Sequence, residues 1–178
     1  MKKHLLIIGS PEPRSSDFLH EFIANFRNDD RFNVRILEEQ QTTSGFDLSK
    51  EQDAIDAALS VTLHFPIYWY SMPALLKAWL DSILTYGWAF DAQGGCLDGK
   101  TLVTSVTTGA PLSSYQPGGT NLRTLDTYLL HLERTAAYVG FNYLGAVATD
   151  QVRGDRLNVS AWDQKVAICG KLGISATA

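Results

Sequence analysis

The stretch Val61-Thr62-Leu63-His64-Phe65-Pro66-Ile67-Tyr68-Trp69-Tyr70-Ser71-Met72-Pro73 decides how this chain folds. A short apolar run, Val61 to Phe65, halted by Pro66, reads as a buried strand. Pro73 then sits where a proline is welcome, in the first turn of a helix. That helix carries Leu75, Leu76, Trp79, Leu80, Ile83 and Leu84 at helical spacing. The same strand–loop–helix unit recurs on both sides of it. Upstream, Leu5 to Ile8 is a continuous apolar run ending in Gly9-Ser10-Pro11, as a strand buried on both faces should look. Phe18, Phe22, Ile23 and Phe26 follow at helical spacing, with an end near Asn28-Asp29-Asp30. Phe32 to Leu37 alternates apolar and polar residues, which suits a second strand nearer the sheet edge.

Glu38 to Leu48 reads as polar loop. Ser49-Lys50-Glu51-Gln52 has the pattern of a capping box, ahead of Ile55, Ala58 and Leu59. Downstream, Asp98-Gly99 is a turn signal and Thr101 to Thr107 a β-branched fourth strand. Thr108 to Thr120 is rich in Gly, Pro and Ser. Leu122, Leu125, Leu129, Leu132, Ala136 and Val139 then mark a long helix closed by Gly140. Tyr143 to Thr149 reads as the fifth strand, and Val159 to Leu172 as a last helix. Alternating strands and helices imply an α/β fold with a parallel sheet covered on both faces. Right-handed crossovers make the order 2-1-3-4-5 the leading topology, with ligands expected beyond the carboxyl ends of the strands.

Composition narrows the class. The chain has 178 residues, enough for one compact domain with its own core. Net charge is −4 with Lys and Arg scattered, so a nucleic-acid surface is not expected. Cys96 and Cys169 are the only cysteines, and neither a disulfide framework nor a zinc site can be built from them. That usage suits a reducing cytosol. The apolar stretch after Lys2-Lys3 is too short for a secretion signal or a membrane span, so a first strand is the better reading. No residues are expected to hold a metal.

Three loops carry unusual sequence. Gly9-Ser10-Pro11-Glu12-Pro13-Arg14-Ser15-Ser16-Asp17-Phe18 brings hydroxyls and free amides to a helix N-terminus, a site for a phosphate. The bland reading is that Ser15 or Ser16 only caps the helix. Tyr68-Trp69-Tyr70 between two prolines offers stacking surface for a planar ligand, or else a hydrophobic plug or subunit contact. Thr107-Thr108-Gly109-Ala110 can donate to the polar edge of a heteroaromatic ring, with Gly109 allowing close approach; alone it reads as a strand end. His64, inside the third strand, reads as a core histidine. His131 reads as lying on a solvated or interface face. Cys96 reads as exposed near the pocket, and with nothing cationic nearby to lower its pKa a redox role is not favoured.

Taken together, the block from Pro66 to Phe90, including Trp69-Tyr70-Ser71-Met72-Pro73-Ala74-Leu75-Leu76-Lys77 and Gly87-Trp88-Ala89-Phe90, resembles the flavodoxin-like NAD(P)H:quinone oxidoreductases. Val106-Thr107-Thr108-Gly109 adds to the likeness. That family includes the ancillary subunits of glutathione-gated potassium efflux systems. The resemblance implies a single flavodoxin-like domain over residues 1–178, a three-layer sandwich with a five-stranded parallel sheet. It implies bound FMN, with FAD the alternative, and NAD(P)H as electron donor to a small quinone-like acceptor. Hydride would pass in a ping-pong order.

By the same resemblance Ser10, Ser16, Asp17 and Phe18 receive the flavin phosphate. Pro66, Ile67, Tyr68, Trp69 and Tyr70 line the ring system, and Thr107, Thr108, Gly109 and Ala110 hold its polar edge. Tyr115 stabilises charge near the flavin N1. Trp88, Phe90 and Asn121 would meet the substrate, the first two across a homodimer interface. The resemblance further implies a cytoplasmic protein, peripheral at the inner membrane where it serves a potassium efflux antiporter. A regulatory subunit of such an antiporter and a flavodoxin-type electron carrier are the other classes in play. The chain departs from the family pattern at Ser10, Leu19, Tyr68 and Asn121, which leaves the identity of the acceptor open.

Overall fold

Why these segments become strands is visible in what surrounds them. The computed structural model describes residues 2–12, 16–152 and 160–177. Strands β1 (His4–Ile8), β2 (Phe32–Ile36), β3 (Ser60–Pro66), β6 (Thr101–Thr107) and β7 (Asn142–Thr149) form one sheet in the order β2-β1-β3-β6-β7. Every pairing in it is parallel. Two short strands, β4 (Phe90–Asp91) and β5 (Gly94–Gly95), make an antiparallel hairpin outside that sheet. They shift the chain numbering of the last two sheet strands from the expected 2-1-3-4-5. The expected five-stranded parallel sheet is otherwise what forms.

Parallel strands covered on both faces must bury side chains of both parities. Leu5 and Ile7 of β1 face one core with Val61, Leu63 and Phe65 of β3. Helices α3 (Leu48–Asp56), α4 (Ala74–Ile83) and α5 (Leu125–Val139) close that face. Leu6 and Ile8 face the other, against Phe18, Phe22 and Phe26 of α1 (Asp17–Arg27) and Ile168 of α6 (Ala161–Lys171). The winding therefore reverses between β1 and β3, which meet side by side with Ile8 opposite His64.

Several local expectations change. Asp47, not Ser49, caps α3, accepting from the Lys50 amide at 3.3 Å. Glu51 is drawn inward instead, 2% exposed, to pair with Arg35 and to accept from Trp79 Nε1 at 3.0 Å. The polar loop holds a short helix, α2 (Leu37–Gln40), because Leu37 is wholly buried. Pro73 stands at the N-cap of α4, just outside the first turn. Helix α5 starts later than expected: Thr124 caps it, and Leu122 lies outside, exposed at φ +61°. The last helix begins at Ala161, and Val159 is outside the described residues.

The hairpin docks through Gly95. A Cβ there would lie 2.3 Å from the Val139 carbonyl carbon, closer than any real contact. Gly95→Ala is therefore expected to undock the hairpin and lower the melting temperature by several degrees, measured by thermal denaturation. An unchanged melt would show that α5 can yield there.

Candidate functional site

The loops after β1, β3 and β6 converge on one cavity of about 250 Å³. Of the residues singled out in the sequence, Ser10, Ser16, Phe18, Pro66, Tyr68 and Thr107 line it. Glu12, Leu19, His64 and Val152 line it too, and sequence reasoning missed them as site residues. Two wider depressions lie on the flanks of the molecule, one along α5 and β7 and one beside α1 and β2. Neither includes a residue of these loops.

Ser16 is extended backbone, and its Oγ accepts from Leu19 N at 3.3 Å while its carbonyl accepts from His20 N at 3.0 Å. The expected cap is thus real. The amides of Asp17 and Phe18 belong to the first helical turn and have no intrahelical acceptor. They and the helix dipole make this end of the cavity a place for an anion. Asp17 itself is exposed. Arg14 and Ser15 lie outside the described residues.

Ladder bonds tie the other two loops together. Ile67 N donates to Thr107 O at 2.8 Å, past the end of β3. Tyr68 and Ser71 exchange both backbone hydrogen bonds, 2.9 and 3.0 Å, around Trp69 and Tyr70 at φ +49° and +65°. This is a left-handed turn that normally selects Gly or Asn, here built from two bulky aromatics. Each such residue costs on the order of 1 kcal/mol, and strain of this kind clusters at functional sites. The turn leaves Trp69 94% exposed and Tyr68 44%, so its aromatic surface is presented rather than plugged into the core.

Thr107 and Thr108 are both buried, but their roles differ. Thr107 reaches the cavity, whereas the Thr108 hydroxyl donates to Ala110 O at 2.7 Å and shapes the loop around Gly109. Thr108 N also donates to Thr149 O, and Val152 N to Thr108 O, so the β7 end closes over this wall. Asp150 accepts from Leu112 N at 2.7 Å and joins the β6 and β7 loops.

Tyr115 is not in the cavity wall. It belongs to a tyrosine cluster beside the aromatic turn, edge-on to Tyr128 at 6.1 Å, with Tyr70 5.1 Å from Tyr128. Burial and the neighbouring Tyr70 and Tyr128 push the Tyr115 phenol above its ordinary value, so it stays a neutral donor at physiological pH. Asn121 is buried and donates through Nδ2 to Ser114 Oγ at 2.6 Å, while its carbonyl accepts from Tyr128. Its side-chain amide thus ties the loop together.

Trp88 and Phe90 stand at the opposite end of the sheet. Trp88 Nε1 donates to Asp56 Oδ2 at 3.0 Å, at the end of the helix that leads into β3. Phe90 packs between Tyr86 and Tyr138. Within one chain they cannot reach the cavity. Cys96 is exposed on the far side of that hairpin, away from the cavity, with its thiol pushed up. His131 is half-buried rather than solvated, with Nε2 unpartnered.

A doubly wound sheet with an anion-ready helix N-terminus and an aromatic turn at its switch point defines a nucleotide-cofactor class of site. The chain belongs to the flavodoxin-like fold family, whose model matches residues 2–167. It is 34% identical over 142 residues to "General stress protein 14" of Bacillus subtilis, covering 80% of this chain and 81% of that one. It is also 34% identical over 146 residues to the "Uncharacterized NAD(P)H oxidoreductase YdeQ" of Bacillus subtilis, covering 82% and 74%. The potassium-efflux ancillary protein KefF of Enterobacter is 32% identical over 79% of this chain and 78% of its own.

Two solved structures bear on the site. General stress protein 14 of Treponema denticola, in complex with FMN, superposes with a TM-score of 0.82 at 29% identity, covering 96% of both chains. A NADPH-quinone reductase from P. pentosaceus superposes with a TM-score of 0.75 at 29% identity, covering 84% and 85%.

Proposed function

We propose that this chain is a flavin-dependent NAD(P)H oxidoreductase that holds FMN in the cavity at the β1, β3 and β6 ends and reduces a quinone-like acceptor. The observation that carries the reading is convergence: Ser16 at a helix start, Tyr68 of the aromatic turn and Thr107 at a strand end line one cavity. The donor set suits FMN. Unpaired amides at the start of α1 match a phosphate, the Tyr68–Tyr70 turn matches a flat ring, and Thr107 with the amides near Gly109 matches carbonyl and ring nitrogen acceptors. The FMN complex of the Treponema relative and the oxidoreductase names of the others support the same reading. When bound, the flavin would supply the two-electron hydride chemistry between NAD(P)H and the acceptor.

The protein's part is orientation and electrostatics. Ser10, Ser16 and the Asp17 and Phe18 amides hold the phosphate. Pro66, Ile67, Tyr68, Trp69 and Tyr70 pack on the ring, whose burial replaces water around exposed aromatic surface. Thr108 positions Gly109 and Ala110 through its bond to Ala110 O. Tyr115, kept neutral in the tyrosine cluster beside the aromatic turn, would offer a donor to the cofactor's polar edge. Trp88 and Phe90 act on a second copy, because their own chain places them at the far end of the sheet. We read the assembly as a homodimer in the cytoplasm. No helix among the described residues is long and apolar enough to cross a membrane.

The purified protein should be yellow and should oxidise NAD(P)H when given a small quinone. A colourless protein that takes up neither added FMN nor FAD would sink the reading. Thr108→Val should release flavin roughly five-fold faster than wild type, the worth of one hydrogen bond. Thr42→Val, on an exposed turn, should not. Equal retention in the two would place the flavin elsewhere. The likeness to KefF favours a second reading, a regulatory subunit of a potassium efflux antiporter. Co-purification with such an antiporter distinguishes it.

A further inference from the structure

Beneath the cavity runs a buried hydrogen-bonded line, Gln164 to Ser105 to His64, each residue 2% exposed or less. Gln164 Nε2 donates to Val106 O at 3.1 Å and to Ser105 Oγ at 2.8 Å. A carbonyl only accepts, so Val106 O fixes which end of the amide points this way. Ser105 Oγ lies 3.0 Å from His64 Nδ1. With Oγ already accepting from Gln164, the hydroxyl proton finds one side-chain acceptor among the described residues, Nδ1 of His64. A buried hydroxyl proton left without an acceptor is costly. Ser105 therefore donates to Nδ1, and the imidazole carries its own proton on Nε2.

Two further features hold that donor in place. The ring stacks on Phe22, centroids 4.0 Å apart and planes 24° from parallel. Burial pushes the His64 pKa down to about 3, so the ring is neutral at any working pH. His64 also lines the cavity wall, as do Ser16 and Tyr68.

We infer that His64 is a further binding residue of this site, a neutral Nε2–H donor to the polyhydroxyl chain that joins a flavin's ring to its phosphate. The inference rests on the flavin reading above. An uncharged donor in the same wall as Ser16 and Tyr68 suits an uncharged hydroxyl, while the helix N-terminus serves the phosphate. Gln164 and Ser105 act as positioning residues that set the tautomer.

Two measurements test this. In titrations of the flavin-free protein, His64→Phe, which keeps the stack on Phe22 but has no N–H, should bind FMN and riboflavin each roughly ten-fold more weakly. Thermal melting verifies that the variant is folded. Unchanged affinity for both compounds overturns the inference alone, and weakening of FMN only moves the contact to the phosphate and overturns it as stated. Nitrogen-15 NMR of the wild-type ring needs no variant. It should show a bare Nδ1 and a protonated Nε2, with exchange of the Nε2 proton slowed when flavin binds. A proton on Nδ1, or exchange that flavin leaves untouched, overturns the inference. A wild-type chain that binds neither compound overturns the flavin reading and this inference with it.

Discussion

Lys165→Met is expected to lower the melting temperature by roughly 10 °C, from a loss of about 3 kcal/mol. Lys165 is wholly buried, with Nζ donating to Asn25 O at 2.7 Å and Thr177 O at 2.8 Å and lying 3.1 Å from Asp29 Oδ2. Met matches the stem, which packs near Phe26 and Trp162, but removes the charge. Asp29 then stays buried with Arg31 as its remaining cation, at 2.7 Å. The residues near the end of the chain lose one tie as well, since Lys165 and Arg31 both bond to the 175–177 segment. A melt within a degree of wild type would show that the pair contributes nothing net.

The pH dependence of the same cluster has a definite sign. Hydrogen bonds from Arg31, then from Lys165, hold the Asp29 carboxyl well below the usual carboxylate range. A depressed carboxylate contributes stability that is fully present above its unfolded value, about 4, and is lost as pH falls through the folded value. Wild type should therefore lose stability on acidification below about pH 4 more steeply than Lys165→Met. Denaturant melts at neutral pH and at pH 3 measure the difference.

The second large effect concerns the site. Ser16→Asp should weaken FMN binding by roughly 100-fold or more while leaving riboflavin binding near its wild-type value. Aspartate is as good an N-cap as serine, and its charge favours the start of a helix, so α1 should persist. What changes is a carboxylate beside the proposed phosphate position. Two like charges ~4 Å apart in a medium of effective dielectric ~20 repel by about 4 kcal/mol, less with screening. Equal loss for FMN and riboflavin would mean the phosphate does not sit at this helix end.

Some of the site could be read without coordinates. Ser10, Ser16, Phe18, Pro66, Tyr68 and Thr107 were legible because strand-end loops in a doubly wound sheet converge, and their unusual residues stand out. The helix starts were less legible, because caps compete locally. Asp47 outcompetes Ser49, and Glu51, which looks like the far half of a capping box, is taken by Arg35 and Trp79 across the fold. Leu122 continues the helical spacing of α5 yet is excluded from it by Thr124 at the cap. The hairpin at Phe90–Gly95 has too few residues for any periodicity, and its reason for being is the close approach of Gly95 to the end of α5.

What the sequence determined by itself is the parallel sheet and its switch-point loops. Leu5–Ile8 is apolar throughout and Thr101–Thr107 is apolar or β-branched but for Ser105, the composition of strands buried on both faces. What only the tertiary structure decided is which polar groups face the cavity and which serve the scaffold. Asn121 Nδ2 bonds within its own loop, Thr108 braces Gly109, and Trp88 lies at the far end of the sheet from its own chain's cavity. His64 is the hydrogen-bonded core histidine its strand position suggested, and it also lines the cavity. Its partners Ser105 and Gln164 are 41 and 100 positions away along the chain, the latter reached through Ser105, and no local pattern links residues so far apart. Packing of α6 against the sheet brings them into one line, and with it sets the proton on the imidazole.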